Sequence, residues 1–350
     1  MGLSKQHRLF SLFARHWKAL SYVITVLVPA ILRTGRKPVI FSRWGGMGDI
    51  ICTIPAALEL KKRHPGARFL YNCDPDFAVI PKTTGAADDC THCREIGVVG
   101  HWYMALLGGF YHFAHGDDSP QSAARKPMFQ EFCEQFGLPL AESHPKLPVG
   151  GEALKRVKKR FAERGADEEN LILFHCGPTW PIKEWPAGFW AKLADGLRRR
   201  GFTNPVQIGL GGYMKSQQTQ PQHSLNSTVD LGTATVPEIP QTISLVDALS
   251  LEDSIAAISL AHLFVGVDSG LLHVAACLRT PAVGVFGPTL PQMFYPEKFR
   301  KNFVASQVSC AGCHHRVPRL HWITGCPFDV KCMKEIQPEE LVDACLLALV

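Results

Sequence analysis

The stretch FSRWGGMGDIICTIPAALELKKRHPGARFLYN, residues 41–72, decides the fold because it holds a complete strand–loop–helix–strand unit. Apolar residues at 38–42 predict a first strand, and a glycine-rich loop separates it from an amphipathic helix over residues 50–64. A second apolar strand is predicted over residues 67–73. Short strands that alternate with amphipathic helices are typical of a parallel sheet built from βαβ units.

The loop of this unit is Gly45-Gly46-Met47-Gly48, and Asp49 follows it at the predicted entrance to the helix. The loop lacks the third glycine of the G-x-G-x-x-G fingerprint, and no carboxylate closes the second strand, so the pattern disfavours a nicotinamide-dependent dehydrogenase. Glycines have no Cβ atom and let a bulky ligand approach the backbone closely. Taken alone, Asp49 is interpreted as an N-cap that accepts backbone N–H bonds in the first helical turn.

The same alternation restarts in the second half of the chain. Strands are predicted over 170–176, 205–210, 263–268 and 281–287, and helices over 186–201, 251–261 and from Leu271. The sequence therefore predicts an N-terminal segment over residues 1–37, a first α/β domain over 38–150 and a second over 151–350. Doubly wound domains bind ligands at the carboxyl ends of their strands, so we expect two parallel sheets that face a central cleft.

Candidate phosphate-binding residues lie where a predicted strand of the second domain ends. Asp268 ends the strand, Ser269-Gly270 opens a helix, and His273 lies in its first turn. The unpaired N–H groups and the dipole of a helix N-terminus favour an anion such as a diphosphate. The same D-S-G sequence is also an ordinary turn and cap. Lys183, in the loop after the first predicted strand of this domain, can place a cation against phosphate oxygens.

Composition restricts the class of protein. A chain of 350 residues that is 46% hydrophobic can bury the cores of about two domains. The net charge of +6 is too small and too dispersed to indicate nucleic-acid binding, although it suits anionic substrates or a membrane surface. The 12 cysteines lack the spacing of a small disulfide scaffold, which indicates a reduced, intracellular protein. Trp180, Trp185 and Trp190 are predicted to be packing residues.

The N-terminal segment combines basic and apolar residues. Residues 5–18 mix bases with Leu, Phe and Trp at helical spacing, and residues 19–32 form an apolar run that Arg33, Arg36 and Lys37 close. The run is shorter than the roughly 20 residues that span a bilayer. The alternatives are an interfacial amphipathic helix, an uncleaved signal-like anchor and a helix docked on the domain. We favour peripheral attachment to an anionic membrane.

Four cysteines lie together near the C-terminus, in the segment 310–332. Cys310 and Cys313 form a C-x2-C pair, and Cys326 and Cys332 follow. Four thiols at this density suit a tetrahedral site for structural Zn or Fe, which would hold together a loop with few apolar residues. Free thiols and a disulfide are the alternatives. Further candidate ligands are His314, His315 and His321.

Three segments together resemble the main motifs of glycosyltransferase family 9, the bacterial heptosyltransferases of lipopolysaccharide core assembly. They are RWGGMGDIICTIPAALELKKRHPGARF (43–69), HCGPTWPIKEWPAGFWAKLA (175–194) and LSLEDSIAAISLAHLFVGVDSGLLHVAACLRTPAVGVFGPT (249–289). Their order and separation also match the family, and the resemblance covers about residues 38–345.

The resemblance implies a GT-B fold, with the acceptor on the first Rossmann-like domain and the nucleotide sugar on the second. It implies an inverting, metal-independent transfer of a heptose from ADP-heptose to a lipopolysaccharide core or another glycan. Asp49 falls on the family's catalytic base, and the acceptor-side loop around it contributes Arg43, Gly45, Gly46 and Gly48. A carboxylate in that place takes the proton of the attacking sugar hydroxyl.

The resemblance also assigns residues to the donor. They are Thr179, Lys183, Leu249, Asp268, Ser269, Gly270, Leu271 and His273. The helix N–H groups, the lysine and the threonine would stabilise the departing nucleoside diphosphate without Mg²⁺, while Leu249 would contact the base and Asp268 the transferred sugar. One family feature is absent, because no carboxylate for the ribose follows the strand over 205–210. The resemblance therefore leaves the identity of the donor nucleotide unassigned.

Two long irregular segments are predicted, over 82–127 and 211–243. The first contains HWYMALLGGFYHFAHGDD (101–118), predicted as an acceptor-facing helix or loop, and the second is predicted as a flexible loop over the donor site.

Three rival functions remain. A family 9 transferase that glycosylates a protein would use the same fold and base. A non-catalytic, membrane-associated protein that binds sugar nucleotides would tolerate loss of Asp49. An epimerase would release nucleotide without an acceptor. We predict a cytoplasmic enzyme, peripheral on the inner membrane of a Gram-negative bacterium. It would need a nucleotide-sugar donor and a lipid-linked or glycan acceptor, no nucleic acid and no catalytic cofactor.

Overall fold

The computed structural model describes residues 5–35, 37–93, 109–113, 126–166, 169–202, 205–211, 236–315 and 325–350. The chain forms two compact units, the first from residues 1–115 and 129–141 and the second from residues 116–128 and 142–350. Within the described ranges, no helix combines the length and the apolar character needed to cross a membrane.

The N-terminal segment is helical, as predicted. Helix α1 (Lys5–Tyr22) continues through a π turn (Val23–Leu27) into α2 (Val28–Thr34), which Gly35 ends with a left-handed φ of 63°. Glycine adopts that conformation without the strain a Cβ atom causes, so it is suited to close the helix.

The first unit is built on a four-stranded parallel sheet. Its strands are β1 (Val39–Ser42), β2 (Phe69–Asn72), β3 (Asp89–Thr91) and β4 (Phe110–His112), in the order β3-β2-β1-β4. Its helices are α3 (Met47–Lys62), α4 (Val79–Thr83) and α5 (Met128–Gln135). The parallel sheet and its first two strands confirm the prediction from the opening stretch.

The segment 101–118 was predicted as a helix or loop, and this is wrong for the part that the structure describes. Residues 110–112 form β4, which pairs with β1 in parallel. The aromatic sequence FYH explains the difference, because aromatic side chains suit a half-buried sheet surface. The remainder of the predicted segment lies outside the described residues.

The core of the first unit is aromatic. Phe41 and Tyr71, on adjacent strands, are fully buried on one face of the sheet. Phe113 stacks on Tyr71 at 6.4 Å between ring centroids, and Phe132 of α5 meets Phe113 edge-on at 5.6 Å. Burying these rings contributes a large share of the hydrophobic stabilisation of this small unit.

The second unit has a six-stranded parallel sheet in the order β10-β9-β8-β5-β6-β7. Its strands are β5 (Ile172–His175), β6 (Val206–Gln207), β7 (Ile243–Ser244), β8 (Leu263–Val267), β9 (Ala282–Phe286) and β10 (Val304–Ala305). Its helices are α6 (Gly151–Arg164), α7 (Ala187–Arg198), α8 (Leu251–Leu260), α9 (Gly270–Leu278), α10 (Glu297–Arg300), α11 (Lys331–Lys334) and α12 (Pro338–Leu349). The loop predicted over 211–243 ends at β7, and its residues 212–235 lie outside the described residues.

The C-terminal helix α12 completes the core of the second unit by packing on α7. A Cβ atom at Gly196 of α7 would lie 2.6 Å from Val342 of α12, so only glycine allows this approach. Trp185 and Trp190 are buried in the same core, as the sequence predicts.

Candidate active site

Asp49 is held by contacts on both of its carboxylate oxygens. The helix α3 begins at Met47, earlier than predicted, so Asp49 is the third residue of its first turn and not the residue before it. Its Oδ2 accepts a hydrogen bond from the Gly46 N–H at 3.0 Å, so the side chain caps the start of the helix from its third position. Its Oδ1 forms an ion pair of 2.5 Å with Arg43 Nη2.

Arg43 fixes the position of this carboxylate. Its Nη1 donates to the Phe113 carbonyl at 3.1 Å, and its guanidinium lies over the Phe132 ring at 5.5 Å from the centroid. A guanidinium with several bonds in one plane presents its remaining donors in a fixed direction. The carboxylate of Asp49 therefore has a defined orientation while its side chain stays 27% exposed.

The glycines of the loop leave room for the Asp49 side chain and hold it in place. A Cβ atom at Gly45 would lie 2.9 Å from Asp49 Cγ and Oδ2, which is closer than van der Waals contact allows. Gly46 is the N-cap and Gly48 lies in the first turn of α3. Gly45 is thus required by the Asp49 side chain itself, a reason that the sequence alone did not provide.

Lys183 and Asp268 form a buried ion pair in the second unit. Lys183 Nζ lies 2.7 Å from Asp268 Oδ2, and Thr289 Oγ1 donates to the same oxygen at 2.8 Å. Burial alone would raise the pKa of Asp268, but the Lys183 charge and hydrogen bond, with that of Thr289, lower the pKa below its ordinary value. Lys183 also lies over the ring of Trp180 at 4.2 Å from the centroid.

The helix α9 begins beside this pair. Ser269 is its N-cap, Gly270 its first residue, and Leu271 is buried in the first turn. The side chain of Ser269 makes no capping bond and instead lies 3.1 Å from His175 Nδ1 at the end of β5. The first N–H groups of any helix have no intrahelical partner, so this end can bind an anion next to the Lys183 ammonium.

His273 is buried and paired with a second histidine. Its Nδ1 lies 3.0 Å from His144 Nε2, and its ring lies 4.7 Å from that of Tyr295. Burial, followed by the charges of His273 and Arg279, lowers the pKa of His144 well below its ordinary value. The predicted phosphate neighbour His273 is therefore part of an interior network in this structure.

The other predicted donor residues lie around the same strand ends. Thr179 Oγ1 donates to the Asp268 carbonyl at 3.4 Å, which ties the loop after β5 to the end of β8. Leu249 is buried just before α8.

Asp247 is a carboxylate that the sequence analysis missed. Its Oδ1 accepts from the Gly211 N–H at 2.8 Å, so it lies just beyond the strand over Val206–Gln207. Asp247 adopts a left-handed φ of 58°, which Asp tolerates better than most residues. The strand before it, Ile243–Ser244, is too short to produce a periodic signal, and this explains the omission.

The sequence analysis also missed His175 and Thr289, and it assigned Trp180 to packing. Both missed residues follow or end predicted strands, so the rule that strand ends share one edge could have found them. Trp180 is half-buried, next to Lys183 and with its ring 5.0 Å from that of His314, and it is not a core residue.

The four cysteines of the C-terminal segment surround one small cavity. Cys310, Cys313, Cys326 and Cys332 line a space of about 10 Å³ together with apolar side chains such as Ile182. Burial, then the neighbouring thiols of Cys313, Cys310 and Cys326, raise the pKa of Cys332 to about 12. Tertiary folding thus brings together the set that the sequence singled out.

His175 leads to a pH-dependent prediction. Burial lowers its pKa from the ordinary 6.5 to about 4, so the ring stays neutral in the folded protein. At pH values between these two pKa values, His175 is protonated in the unfolded chain but not in the folded one. The free energy of unfolding therefore falls as the pH drops from 6.5 towards 4. At pH 5.5 the loss relative to pH 7.5 is expected to be about 1.4 kcal/mol.

Urea unfolding of the wild type and of His175→Asn at the two pH values measures this loss. The variant should show a pH dependence smaller by about that amount. His262→Asn, at an exposed histidine of the same unit, is the matched control and should keep the wild-type dependence. An identical dependence in wild type and His175→Asn would contradict the burial of a neutral ring.

Comparison with known proteins adds the family. The family model described as glycosyltransferase family 9 (heptosyltransferase) matches residues 96–323. Lipopolysaccharide heptosyltransferase 1 of Pseudomonas aeruginosa is 28% identical over 332 residues, which cover 79% of this chain and 85% of that protein.

Solved structures share the fold. A family 9 glycosyl transferase of Veillonella parvula has a TM-score of 0.63 at 19% identity, covering 89% of this chain and 97% of that one. The iron-containing dodecameric glycosyltransferase TibC of enterotoxigenic Escherichia coli has a TM-score of 0.63 at 15% identity, covering 89% and 76%. Two parallel-sheet units, the matching family model and these relatives confirm the resemblance drawn from the three motifs. The chain belongs to glycosyltransferase family 9 and is a glycosyltransferase with the GT-B fold.

Proposed function

We propose that this enzyme transfers a heptose from ADP-heptose to the core of lipopolysaccharide or a related lipid-linked glycan, with inversion at the anomeric carbon. The relatives named as lipopolysaccharide or lipooligosaccharide heptosyltransferases support the sugar and the acceptor. TibC has been crystallised with ADP-D-beta-D-heptose, which supports the donor. The observation that carries the proposal is the oriented and partly exposed carboxylate of Asp49.

Asp49 is proposed as the general base. The bonds from Gly46 and Arg43 fix its two oxygens, and each carboxylate oxygen can accept a second hydrogen bond, so a sugar hydroxyl can still donate to it. Removal of that proton as the oxygen attacks the anomeric carbon makes a weak nucleophile effective. A single base on the attacking side suffices for inversion, because the leaving diphosphate departs from the opposite face.

The departing diphosphate needs positive charge. The N-terminus of α9 at Ser269 and Gly270 offers backbone N–H groups. The Lys183 ammonium lies beside it, because it is paired with Asp268 at the carboxyl end of β8. We propose that the diphosphate binds there, with Lys183 shared between Asp268 and a phosphate oxygen. His175 holds the Ser269 hydroxyl in place as a positioning residue.

The nucleoside has a candidate partner in Asp247. The family carboxylate expected directly after the strand over 205–210 is absent, and Asp247 lies against Gly211 at that strand end. We propose that the carboxylate of this exposed residue accepts hydrogen bonds from the ribose hydroxyls. Leu249, which is close to Asp247 in sequence, would contact the base of the nucleotide.

A transfer assay tests the proposed function. The purified protein is incubated with ADP-heptose and a heptose-deficient lipopolysaccharide acceptor, and the product mass and released ADP are measured. Both products should appear only when donor and acceptor are present together. Nucleotide release without acceptor would favour the epimerase alternative, and transfer only to a protein would favour the protein-glycosylating one. A thermal-shift panel of ADP-, GDP- and UDP-sugars identifies the nucleotide.

The four-cysteine cavity is proposed as a structural metal site for Fe or Zn. Four sulfur donors in an apolar pocket suit either metal, and the TibC structures are described as iron-containing. The bound metal would cross-link residues 310–313 to residues 326–332, and no catalytic step is assigned to it.

Protein purified without chelators is expected to carry about one equivalent of Fe or Zn, as measured by elemental analysis. Cys313→Ser should lose most of it, because the remaining three thiols form an incomplete tetrahedral set. Cys90→Ser, at a partly exposed cysteine of the first unit, is the matched control and should retain the metal. Metal content far below one equivalent in the wild type would refute the site.

A further inference from the structure

The N-terminal helix has two different apolar faces. On the inner face, Tyr22, Val23 and Leu27 are buried against Ile40 of β1 and Leu70 of β2. This contact forms a helical layer on one face of the four-stranded sheet, so the helix is an integral part of the first unit. The structure therefore agrees with the docked helix, one of the three alternatives from the sequence, and leaves the opposite face of the same helix to be explained.

The outer face carries a line of large apolar side chains. Phe13 is 68% exposed, Trp17 63% and Leu32 79%, with Ile24 and Val28 between them also exposed. Their separations along the chain are four, seven, four and four residues, which places them on one side of a helix. Single exposed apolar residues are common, but a stripe running the length of a helix indicates an interaction surface.

The π turn keeps this stripe straight. In a regular α-helix each four-residue step rotates a position by about 40° around the axis, so repeated steps would carry the stripe away from its face. The wider turn at Val23–Leu27 rotates less per residue and takes up part of this drift. Ile24, Val28 and Leu32 consequently stay in line with Trp17.

The charge around the stripe identifies its partner. Residues 5–37 contain no Asp or Glu, and their basic residues are Lys5, Arg8, Arg15, Lys18, Arg33, Arg36 and Lys37. Lys18, next to Trp17 in sequence, is exposed, and so is Lys37 just beyond the helix. A helix that exposes Trp and Phe, in a segment rich in Lys and Arg and without Asp or Glu, is typical of helices that lie in the interface of an anionic bilayer.

We propose that the outer face of the helix over residues 13–32 is a docking surface for an anionic phospholipid bilayer, on which the helix lies parallel to the membrane plane. The inner face stays on the sheet, so the surface places the whole first unit at the membrane without a spanning segment. A second copy of the chain is a poorer occupant, because two such helices would bring their positive charges together. The inference does not depend on the sugar that the enzyme transfers.

Vesicle co-sedimentation with the full-length protein tests the proposal in the absence of donor and acceptor. The protein is expected to bind vesicles of phosphatidylethanolamine and phosphatidylglycerol about ten-fold or more tightly than vesicles of phosphatidylcholine. Raising the salt concentration should weaken the binding to anionic vesicles, because it screens the basic residues. Equal partition onto both kinds of vesicle would overturn the charge argument.

The triple variant Phe13→Gln, Trp17→Gln, Leu32→Gln tests the stripe. It should lose about ten-fold or more of the binding to anionic vesicles and keep the wild-type melting temperature, since these side chains are exposed. Leu347→Gln, at a residue of α12 that is 68% exposed, is the matched control and should bind like the wild type. If the triple variant has a lower melting temperature than the wild type, the single variant Trp17→Gln is used in its place.

Two results would overturn the proposal. Wild-type vesicle binding by the stripe variants would show that another surface binds the membrane. The face would bind a second copy of the chain if the wild-type protein does not bind vesicles and is a dimer by sedimentation velocity, while the stripe variants are monomers. Since no activity is measured, failure of the proposed glycosyl transfer leaves these outcomes unaffected.

Discussion

Asp49→Asn is expected to retain the fold of the first unit and to lower the rate of sugar transfer by about 10²–10⁴-fold. Asparagine has nearly the shape of aspartate, and its side-chain oxygen can still accept from the Gly46 N–H, which preserves this capping bond. It cannot take a proton from a sugar hydroxyl. The variant therefore separates the structural role of this side chain from its proposed chemical role.

The separation matters because Asp49 has both roles in the structure. A capping residue contributes about 1 kcal/mol of stability, so Asp49→Ala would lose stability as well as rate, and it leaves Arg43 without its ion pair. Asp49→Asn limits the structural change to the loss of one charge. Its melting temperature, its donor affinity and its rate should be measured on the same preparation.

Glu340→Gln is the matched control. Glu340 is the third residue of α12 and accepts from the Gln337 N–H at 2.9 Å, so it makes the same kind of capping bond as Asp49. Its substitution should have a similarly small effect on stability and no effect on transfer. Wild-type turnover by Asp49→Asn would remove Asp49 as the base, and a rate loss in both variants would indicate a general effect of weakened capping.

Lys183→Met is expected to lower the free energy of unfolding of the second unit by about 3–5 kcal/mol. The substitution leaves the Asp268 carboxylate buried without its cation, while the methionine stem still covers the Trp180 ring. Removing one partner of a buried pair costs more than removing both, since an uncompensated charge remains. The double variant Lys183→Met, Asp268→Asn should therefore recover part of the loss.

Lys334→Met provides the matched control for this pair. Lys334 lies 2.6 Å from Asp329, but the two side chains are 50% and 89% exposed, so its loss should cost less than about 1 kcal/mol. Urea unfolding compares the four proteins, and calorimetric titration with ADP compares their donor affinity. Equal costs for Lys183→Met and Lys334→Met would contradict a stabilising buried pair. Unchanged ADP affinity in Lys183→Met would remove Lys183 from the donor site.

Local sequence predicted the regular elements well. The strands over Val39–Ser42 and Leu263–Val267, and the helix over Leu251–Leu260, lie within or close to their predicted ranges. Their apolar patterns and flanking turns depend on neighbouring residues, which a single sequence displays directly. The start of α3 was misplaced because Gly46 and Gly48 are poor helix formers, and the capping bond of Asp49 decides that boundary.

The sequence by itself determined the class of the protein, since strand–helix alternation, the loop ending in Asp49 and the D-S-G turn follow from residues close together in the chain. Tertiary structure alone decided which side chains meet. The contacts of Lys183 with Asp268 and of Asp247 with Gly211 join residues far apart in sequence. The same holds for the two faces of the N-terminal helix, because periodicity shows that a face is apolar and only packing shows which face is covered.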